Sequence, residues 1–268
     1  DRPIGLEDGP DPEEPYFSGP KPFVKVPPGS YGPMYSEHNH QPSVAECPNG
    51  DLLAVWFSCM RERGRELTVL ASRLRCGNDK WDPASAFWDA PDRNMTGNVL
   101  WRDGETIYHF GGMSAAATWG SMIIYVRASQ DSGVSWSKPQ ILVPDHVNAQ
   151  VQPTNLVFRT ADGSIVLPCD DGSIGATRLY ISRDDGRTWQ DPGGRIDGIH
   201  AAVAQLEDGR LLALGRRAGG DSHRMPQSIS DDMGARWEVS ESPFDAVSGG
   251  QRPVLLRLKE RPLIFASF

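Results

Sequence analysis

The chain has 268 residues, 38% of them hydrophobic, with 28 glycines and 22 prolines, a composition that excludes a fibrous or disordered protein. Its formal net charge of -8 argues against attraction to phosphate backbones, so we expect no nucleic-acid partner. The longest aliphatic runs, such as Met122 to Val126, are far shorter than the roughly 20 residues that cross a bilayer, and no membrane span is predicted.

The N-terminal segment, residues 1–36, has a proline-rich flank and one short apolar stretch, Phe23 to Val26. We interpret this segment as an extension that could supply one strand to the domain that follows. Four cysteines, Cys47, Cys59, Cys76 and Cys169, have no CxxC spacing, so they predict no metal site. They are compatible with free thiols or with one or two disulfides.

A hairpin signal recurs four times after this segment. Each copy is an Asn-Gly or Asp-Gly pair between two apolar stretches, which is the strongest short-range indication of a β-hairpin. The four copies are Asn49-Gly50, Asp103-Gly104, Asp162-Gly163 and Asp208-Gly209.

A second repeat alternates with these turns. Three segments follow the pattern S-x-D-x-G-x-x-W, namely Ser129 to Trp136, Ser182 to Trp189 and Ser230 to Trp237, and a degenerate copy runs from Ser72 to Trp81. The four tryptophans are 55, 53 and 48 residues apart, close to the length of one propeller blade. The Asp and Gly suit a tight turn and the Trp suits packing between sheets, so we predict a structural role for the motif.

Each unit therefore contains a strand, an NG or DG turn, a strand, a connection, a third strand, the Asp-box turn and a fourth strand. In the third unit we expect strands at Thr154 to Phe158, Ser164 to Leu167, Arg178 to Ser182 and after Trp189. Four units and a partial fifth, Gln251 to Phe268, are visible, and no long helical pattern occurs. The sequence predicts an all-β fold: one incomplete propeller domain, most simply six-bladed, of which this chain supplies four to five blades.

The repeat resembles the Asp boxes of the sialidase superfamily of propellers, from about Gln41 to the C-terminus. The resemblance implies that the Asp boxes lie at the periphery, on the face away from the substrate pocket. It also implies a carbohydrate ligand and an exo-acting glycoside hydrolase that acts on terminal acidic sugars.

Strand direction indicates which residues would form that pocket. The start of a first strand and the end of a second strand lie on the face opposite the turns. We expect second strands to end near Arg61, at Tyr108-His109, at Asp170-Asp171 and at Arg216-Arg217. The resulting candidate residues are His38, Asn39, His40, Gln41, Arg61, Asn98, His109, Gln152, Asp170, Asp171, His200, Arg216, Arg217 and Arg252.

We assign catalysis to His40, Asp170 and Asp171 and substrate binding to the others, because hydroxyl-rich sugars suit such side chains and His or Asp can move protons. Arg216 or Arg217 resembles a sialidase arginine that grips a carboxylate, with Arg252 as a second candidate. The chain departs from sialidases at its first blade, where His40-Gln41-Pro42 replaces an Arg-Ile-Pro type motif, and no Tyr and Glu nucleophile pair is recognisable.

Two alternatives stay open from the sequence. An Asn-His pair at a first-strand start also resembles propeller polysaccharide lyases, which cleave next to a uronate. A propeller that binds glycans without catalysis would have the same fold. No cofactor is predicted under any of the three hypotheses, and we expect a secreted or periplasmic protein.

Overall fold

The structure is a computed structural model that describes residues 36–144, 150–216, 223–247, 249–258 and 261–267. The regular secondary structure in these ranges consists of β-strands, which form four sheets and a final hairpin. Nothing in these ranges forms a helix that could cross a membrane. Of the N-terminal extension, only Ser36 is described, so the expected closing strand at Phe23 to Val26 lies outside the described residues.

The first two sheets are blades of four consecutive antiparallel strands. The first contains β1 (His38–Glu46), β2 (Leu52–Cys59), β3 (Leu67–Leu74) and β4 (Ser85–Trp88). The second contains β5 (Val99–Asp103), β6 (Thr106–Ser114), β7 (Met122–Ser129) and β8 (Gln140–Ile141).

The remaining strands form two further blades and a hairpin. The third sheet contains β9 (Val151–Pro153), β10 (Phe158–Arg159), β11 (Ile165–Asp171), β12 (Ala176–Ser182) and β13 (Ile196–Asp197). The fourth contains β14 (Ile199–Gln205), β15 (Leu211–Arg216), β16 (Arg224–Ser230) and β17 (Glu238–Asp245). The hairpin contains β18 (Val254–Arg257) and β19 (Leu263–Ala266).

Two strands differ from the sequence prediction. The first strand of the third blade is broken into β9 and β10, both paired with β11, where we expected one strand from Thr154 to Phe158. Pro168 of β11 has no N–H to donate at the break, which accounts for the interruption. Strand β6 continues to Ser114 instead of ending at His109. Gly111 lies within this strand at a position where a Cβ would collide with the Tyr125 ring, so the close approach requires glycine.

The first strands of the blades surround a common axis. Residues from β1, β5, β10, β14 and β18 line one cavity of about 1300 Å³. Apolar clusters fill the spaces between successive sheets, and Trp136, Trp189 and Trp237 each pack into one of them. The radial arrangement confirms the predicted propeller, because in a sandwich the first strands of all sheets would not border one cavity.

The Asp boxes are self-contained turns. In the second complete box, the Asp184 carboxylate accepts hydrogen bonds from Thr188 N–H at 2.9 Å and from Ser182 Oγ at 2.9 Å. Hydrogen bonds from Thr188 hold the pKa of Asp184 at about 2. Gly186 follows with a φ of 83°, and its carbonyl accepts a hydrogen bond from Trp189 Nε1 at 3.0 Å. The turn thus fixes the tryptophan that packs between blades.

Gly186→Ala should lower the free energy of unfolding by about 1–2 kcal/mol, because an L-residue resists the left-handed conformation. The cost is conformational, since a Cβ would meet its nearest atoms, in Ile165 and Trp189, only at 3.9 Å. Gly186→Asn should cost less because Asn tolerates this region, and exposed Arg187→Ala is the control. Urea unfolding measures all three, and a neutral Gly186→Ala would contradict the assignment.

Strand register places two kinds of residue on opposite faces. First-strand starts pair with second-strand ends, as in His38 with Cys59 and Gln152 with Asp170. On the other face, the Asn49 N–H of the first hairpin turn donates to Ser132 Oγ of the neighbouring Asp box at 3.3 Å. The turns and Asp boxes therefore share one face, and the other face, here called the axial face, carries the polar strand ends.

Candidate functional site

One buried carboxylate on the axial face holds a histidine at two points. Asp170, at the end of β11, accepts a hydrogen bond from the His200 backbone N–H through Oδ1 at 2.5 Å, and its Oδ2 contacts His200 Nδ1. The hydroxyls of Thr154 and Thr177 also donate to Oδ1, at 3.2 and 3.3 Å. Asp170 is 4% exposed, so its carboxylate is held in place and positions His200 instead of reaching a ligand itself.

A β-bulge turns His200 toward this carboxylate. Ile199 pairs with Arg216 and Ala202 pairs with Leu214, which leaves two residues opposite one, and His200 has a φ of 54°. Burial lowers the pKa of His200 below its usual value, although the Asp170 carboxylate opposes the shift. A neutral ring that donates a hydrogen bond from Nδ1–H to a carboxylate keeps its other nitrogen, Nε2, available as a base.

Two arginines flank the Asp170 carboxylate. Arg252, which precedes β18, donates to the Thr154 carbonyl, and Arg216, at the end of β15, donates to the Gln251 carbonyl at 3.0 Å. Burial lowers the pKa of Arg252 to about 10, with Asp170 opposing the shift and Arg216 adding to it. Both guanidiniums stay charged at neutral pH, and their hydrogen bonds go to backbone carbonyls, so both positive charges lie beside Asp170 where an anionic ligand could pair with them.

A second cluster lies at the start of the first blade. His38 Nε2 is 3.3 Å from His40 Nδ1, and the same His40 atom is 3.4 Å from Glu62 Oε1. The hydrogen bond from His40 lowers the pKa of Glu62, against the opposing effect of burial. Burial lowers the pKa of Arg216, and the negative charges of Asp170 and Glu62 both oppose this shift. The two clusters are therefore close enough to interact electrostatically.

An aromatic side chain stands beside Gln152. Trp119, in the connection between β6 and β7, donates from Nε1 to Gln152 Oε1 at 3.1 Å, and Thr96 Oγ1 donates to the same oxygen at 2.5 Å. The Arg63 guanidinium lies 4.9 Å from the centre of the Trp119 ring. The half-buried indole, the Gln152 amide and the Arg63 guanidinium thus form one aromatic and polar patch.

The predicted residues Asn39 and Gln41 hold the fold instead of facing the axis. The Asn39 side chain points to the other face of β1, where its oxygen accepts a hydrogen bond from Trp56 Nε1 at 3.2 Å. Gln41 is buried, donates to the Pro153 carbonyl at 3.1 Å and accepts from Gly97 N–H at 2.8 Å. Gln41 thereby ties the first three blades together.

Asn98 and His109 lie inside the second blade. Both are fully buried, and His109 Nε2 is 3.0 Å from Asn98 Oδ1. His109 was expected at a strand end, but β6 extends to Ser114, so its ring packs between the first two sheets against Phe87 and Tyr125. This position leaves His109 out of the axial cluster.

Two further candidates lie outside the cluster around Asp170, and a third is not among the described residues. Asp171 points to the opposite face of β11, as alternation along a strand requires, where it pairs with Arg178 and accepts from Ser173 N–H at 3.2 Å. Arg61 is exposed in the connection between β2 and β3. Arg217 lies outside the described residues.

The sequence prediction missed Glu62 and Trp119. Glu62 lies among Arg61, Arg63 and Arg65, in the connection between β2 and β3, and only Arg61 of this connection is among the sequence candidates. Trp119 lies in the connection between β6 and β7, the second and third strands of its blade, and second strands end on the axial face. A search of these loops, and not of strand ends alone, would have found both.

The stability of the protein should fall between pH 6.5 and 5 because of His109. Burial, reinforced by Arg127, sets the pKa of His109 well below its usual value. The unfolded chain therefore binds a proton near pH 6.5 that the folded chain does not, and stability falls by up to about 1.4 kcal/mol per pH unit below that point. His109→Gln should flatten the dependence in urea unfolding at pH 7 and 5.5, and equal slopes would contradict this.

Comparison with known proteins agrees with the architecture. The BNR repeat-like domain family matches residues 50–261, which is most of the chain. No curated protein matches the chain by sequence. Many solved structures have a similar fold.

Three of these solved structures show the range of similarity. A Dyadobacter fermentans protein of unknown function has a TM-score of 0.65 at 16% identity, over 88% of this chain and 77% of its own. Trypanosoma rangeli sialidase, with the inhibitor DANA, has a TM-score of 0.63 at 16% identity, over 87% of this chain. The intramolecular trans-sialidase of Ruminococcus gnavus, with oseltamivir carboxylate, has a TM-score of 0.61 at 13% identity, over 83% of this chain and 75% of its own.

The chain spans only part of several of these proteins, 44% of the T. rangeli sialidase and 50% of the Hadza microbial sialidase Hz136. At such identities the similarity concerns the fold. The family match, the Asp boxes and the radial sheets agree: the chain belongs to the BNR repeat-like family and has the β-propeller fold of the sialidase superfamily.

Proposed function

We propose that the protein is a sialidase-like glycoside hydrolase that acts on terminal acidic sugars of glycans. The observation that carries this proposal is the group formed by Asp170, His200, Arg216 and Arg252 on the axial face. In this group Asp170 holds His200, the residue that would transfer a proton, and the cations Arg216 and Arg252 lie beside them. The solved structures with a similar fold include sialidases, which supports the same chemistry.

The arginines would bind the sugar carboxylate. A guanidinium offers a planar fork of N–H donors that matches a carboxylate, and hydrogen bonds between charged groups are stronger than neutral ones. The substrate's carboxylate would pair with Arg216 and Arg252, whose own hydrogen bonds go to the uncharged backbone carbonyls of Gln251 and Thr154. This explains why an acidic sugar suits the site better than a neutral one.

His200 would transfer the proton. Asp170 is a positioning residue, because it holds both the backbone N–H and the ring of His200 and so leaves Nε2 directed away from the carboxylate. Nε2 can take a proton from the water whose oxygen bonds to the anomeric carbon while the glycosidic C–O bond breaks. Asp170 stabilises the resulting imidazolium, which loses that proton again as the departing oxygen becomes protonated. Trp119 and Gln152 would position the sugar ring.

A uronate-specific lyase is the second candidate, and the lowered pKa of His200 favours it. A neutral histidine beside cations that neutralise a uronate carboxylate can remove the proton next to that carboxylate. Elimination then forms a conjugated double bond, which hydrolysis does not. The two reactions therefore give different products from the same bound sugar.

A panel of sialosides, uronosides and neutral glycosides tests the proposal. We expect release of reducing sugar from an acidic member and not from its neutral counterpart, without ultraviolet absorbance from a double bond. Ultraviolet absorbance on uronate-containing polysaccharides would support the lyase instead. Binding on a glycan array with no product from any substrate would leave only a glycan-binding propeller and contradict both reactions.

A further inference from the structure

The His38, His40 and Glu62 side chains bring three potential ligand atoms together on the axial face. One ligand atom from each residue lies within 4.8 Å of the others. His40 Nδ1 is 3.3 Å from His38 Nε2 and 3.4 Å from Glu62 Oε1. We propose that these three residues form a binding site for a divalent metal ion of the zinc class.

The separations are those of atoms that share a metal. Ligand atoms about 2.0–2.1 Å from a tetrahedral ion lie about 3.3–3.4 Å from each other. Two of the three pairs already have this spacing. The third pair, His38 and Glu62, needs only a small rotation of the Glu62 side chain, which is 51% exposed.

The backbone fixes the positions of all three ligands. Residues 38 and 40 are two apart on β1, so their side chains share one face, while Asn39 points away to Trp56. The loop that carries Glu62 is tied to Asn94, whose Nδ2 donates to the carbonyls of Glu62 and Gly64, both at 2.7 Å. A bulge immediately after His40 turns the strand at this point.

The ligand types select the metal. Two imidazoles and one carboxylate suit zinc and its neighbours in the transition series, whereas magnesium and calcium prefer oxygen ligands alone. The same set with an open position is characteristic of zinc sites that bind water or substrate. The His40 side chain is 35% exposed, which leaves room for such a further ligand.

The surrounding positive charges should limit the affinity of the site for a metal ion. Arg63 and Arg216 both attract Glu62 and reduce the negative charge available to a cation. A bound ion would lie on the same face as Asp170 and His200, where its open positions could take sugar hydroxyl or carboxylate oxygens. The site itself does not depend on the proposed reaction, because its ligands are separate from that group.

Metal binding by the full chain, without any sugar, tests the proposal. After dialysis against a chelator, titration with Zn²⁺ should show one equivalent bound per chain by calorimetry. Titration with Co²⁺ should give the visible absorbance of a four- or five-coordinate ion. Failure to bind either ion would overturn the site while leaving the glycosidase proposal standing.

Matched variants locate the ion. His38→Gln, His40→Gln and Glu62→Gln should each weaken Zn²⁺ binding at least about tenfold and remove the Co²⁺ absorbance. The control is His223→Gln, which changes an exposed histidine immediately before β16. If the three variants bind Zn²⁺ as tightly as the control does, the ion is held elsewhere and the assignment is wrong. Circular dichroism of each variant confirms that it is folded.

Discussion

Replacing His200 with Gln should lower kcat/KM on the acidic substrate by about 10²–10⁴-fold, the range attributed to a positioned acid or base. Gln keeps the backbone N–H that bonds to Asp170, so the bulge and the fold should persist. It cannot carry the proton. His223→Gln, at an exposed position, should keep full activity, and a His200→Gln variant as active as this control would contradict the assignment.

Asp170→Asn separates positioning from a merely structural role. Because the Asp170 carboxylate raises the pKa of His200 against the effect of burial, its removal should move the acid limb of the kcat/KM profile to lower pH. In the native protein the limb should lie below pH 6.5, since the neutral ring is the active form and its pKa is lowered. A smaller kcat with an unmoved limb would mean that Asp170 does not act through His200.

Substituting Arg216 or Arg252 with Ala should lower kcat/KM on the acidic substrate by about 10- to 100-fold. A hydrogen bond between charged groups contributes about 1.5–3 kcal/mol, and each 1.4 kcal/mol is tenfold. Each Lys variant should recover only part of the loss, because an ammonium keeps the charge but not the planar fork. The measurement is steady-state kinetics on paired acidic and neutral glycosides.

The paired substrates decide what the arginines do. With the neutral glycoside, activity should change little, because the carboxylate contact is missing from the start. Arg210→Ala is the matched control, since Arg210 pairs with Asp208 in a turn on the opposite face. Equal losses on both substrates would show that the arginines support the fold and do not recognise the carboxylate.

The sequence predicted the blades well because their signals are local. An NG or DG turn and an Asp box depend on a few neighbouring residues, such as Gly186 with its positive φ and Trp189 beside it. Register then follows from the hairpins, which is why the pairing of Gln152 with Asp170 on the axial face agrees with the prediction.

Which of two neighbouring residues points to the axis could not be predicted in the same way. Neighbouring residues of a strand point to opposite faces, so Asp170 reaches His200 while Asp171 turns to Arg178. A bulge reverses that alternation, and no turn or repeat motif in the sequence predicted the bulge at His200. The same limit placed Asn39 among the candidates although it faces Trp56.

The sequence by itself determined the all-β repeat and the face that carries the polar strand ends, and it placed all four residues of the Asp170 group among the candidates. Only the tertiary structure decided that Gln41 and His109 are internal, because their burial depends on contacts with other blades. It also brought Glu62 to His40. His40 lies in β1 and Glu62 lies in the connection between β2 and β3. The distance between them is set by the packing of the blade and not by their spacing along the chain.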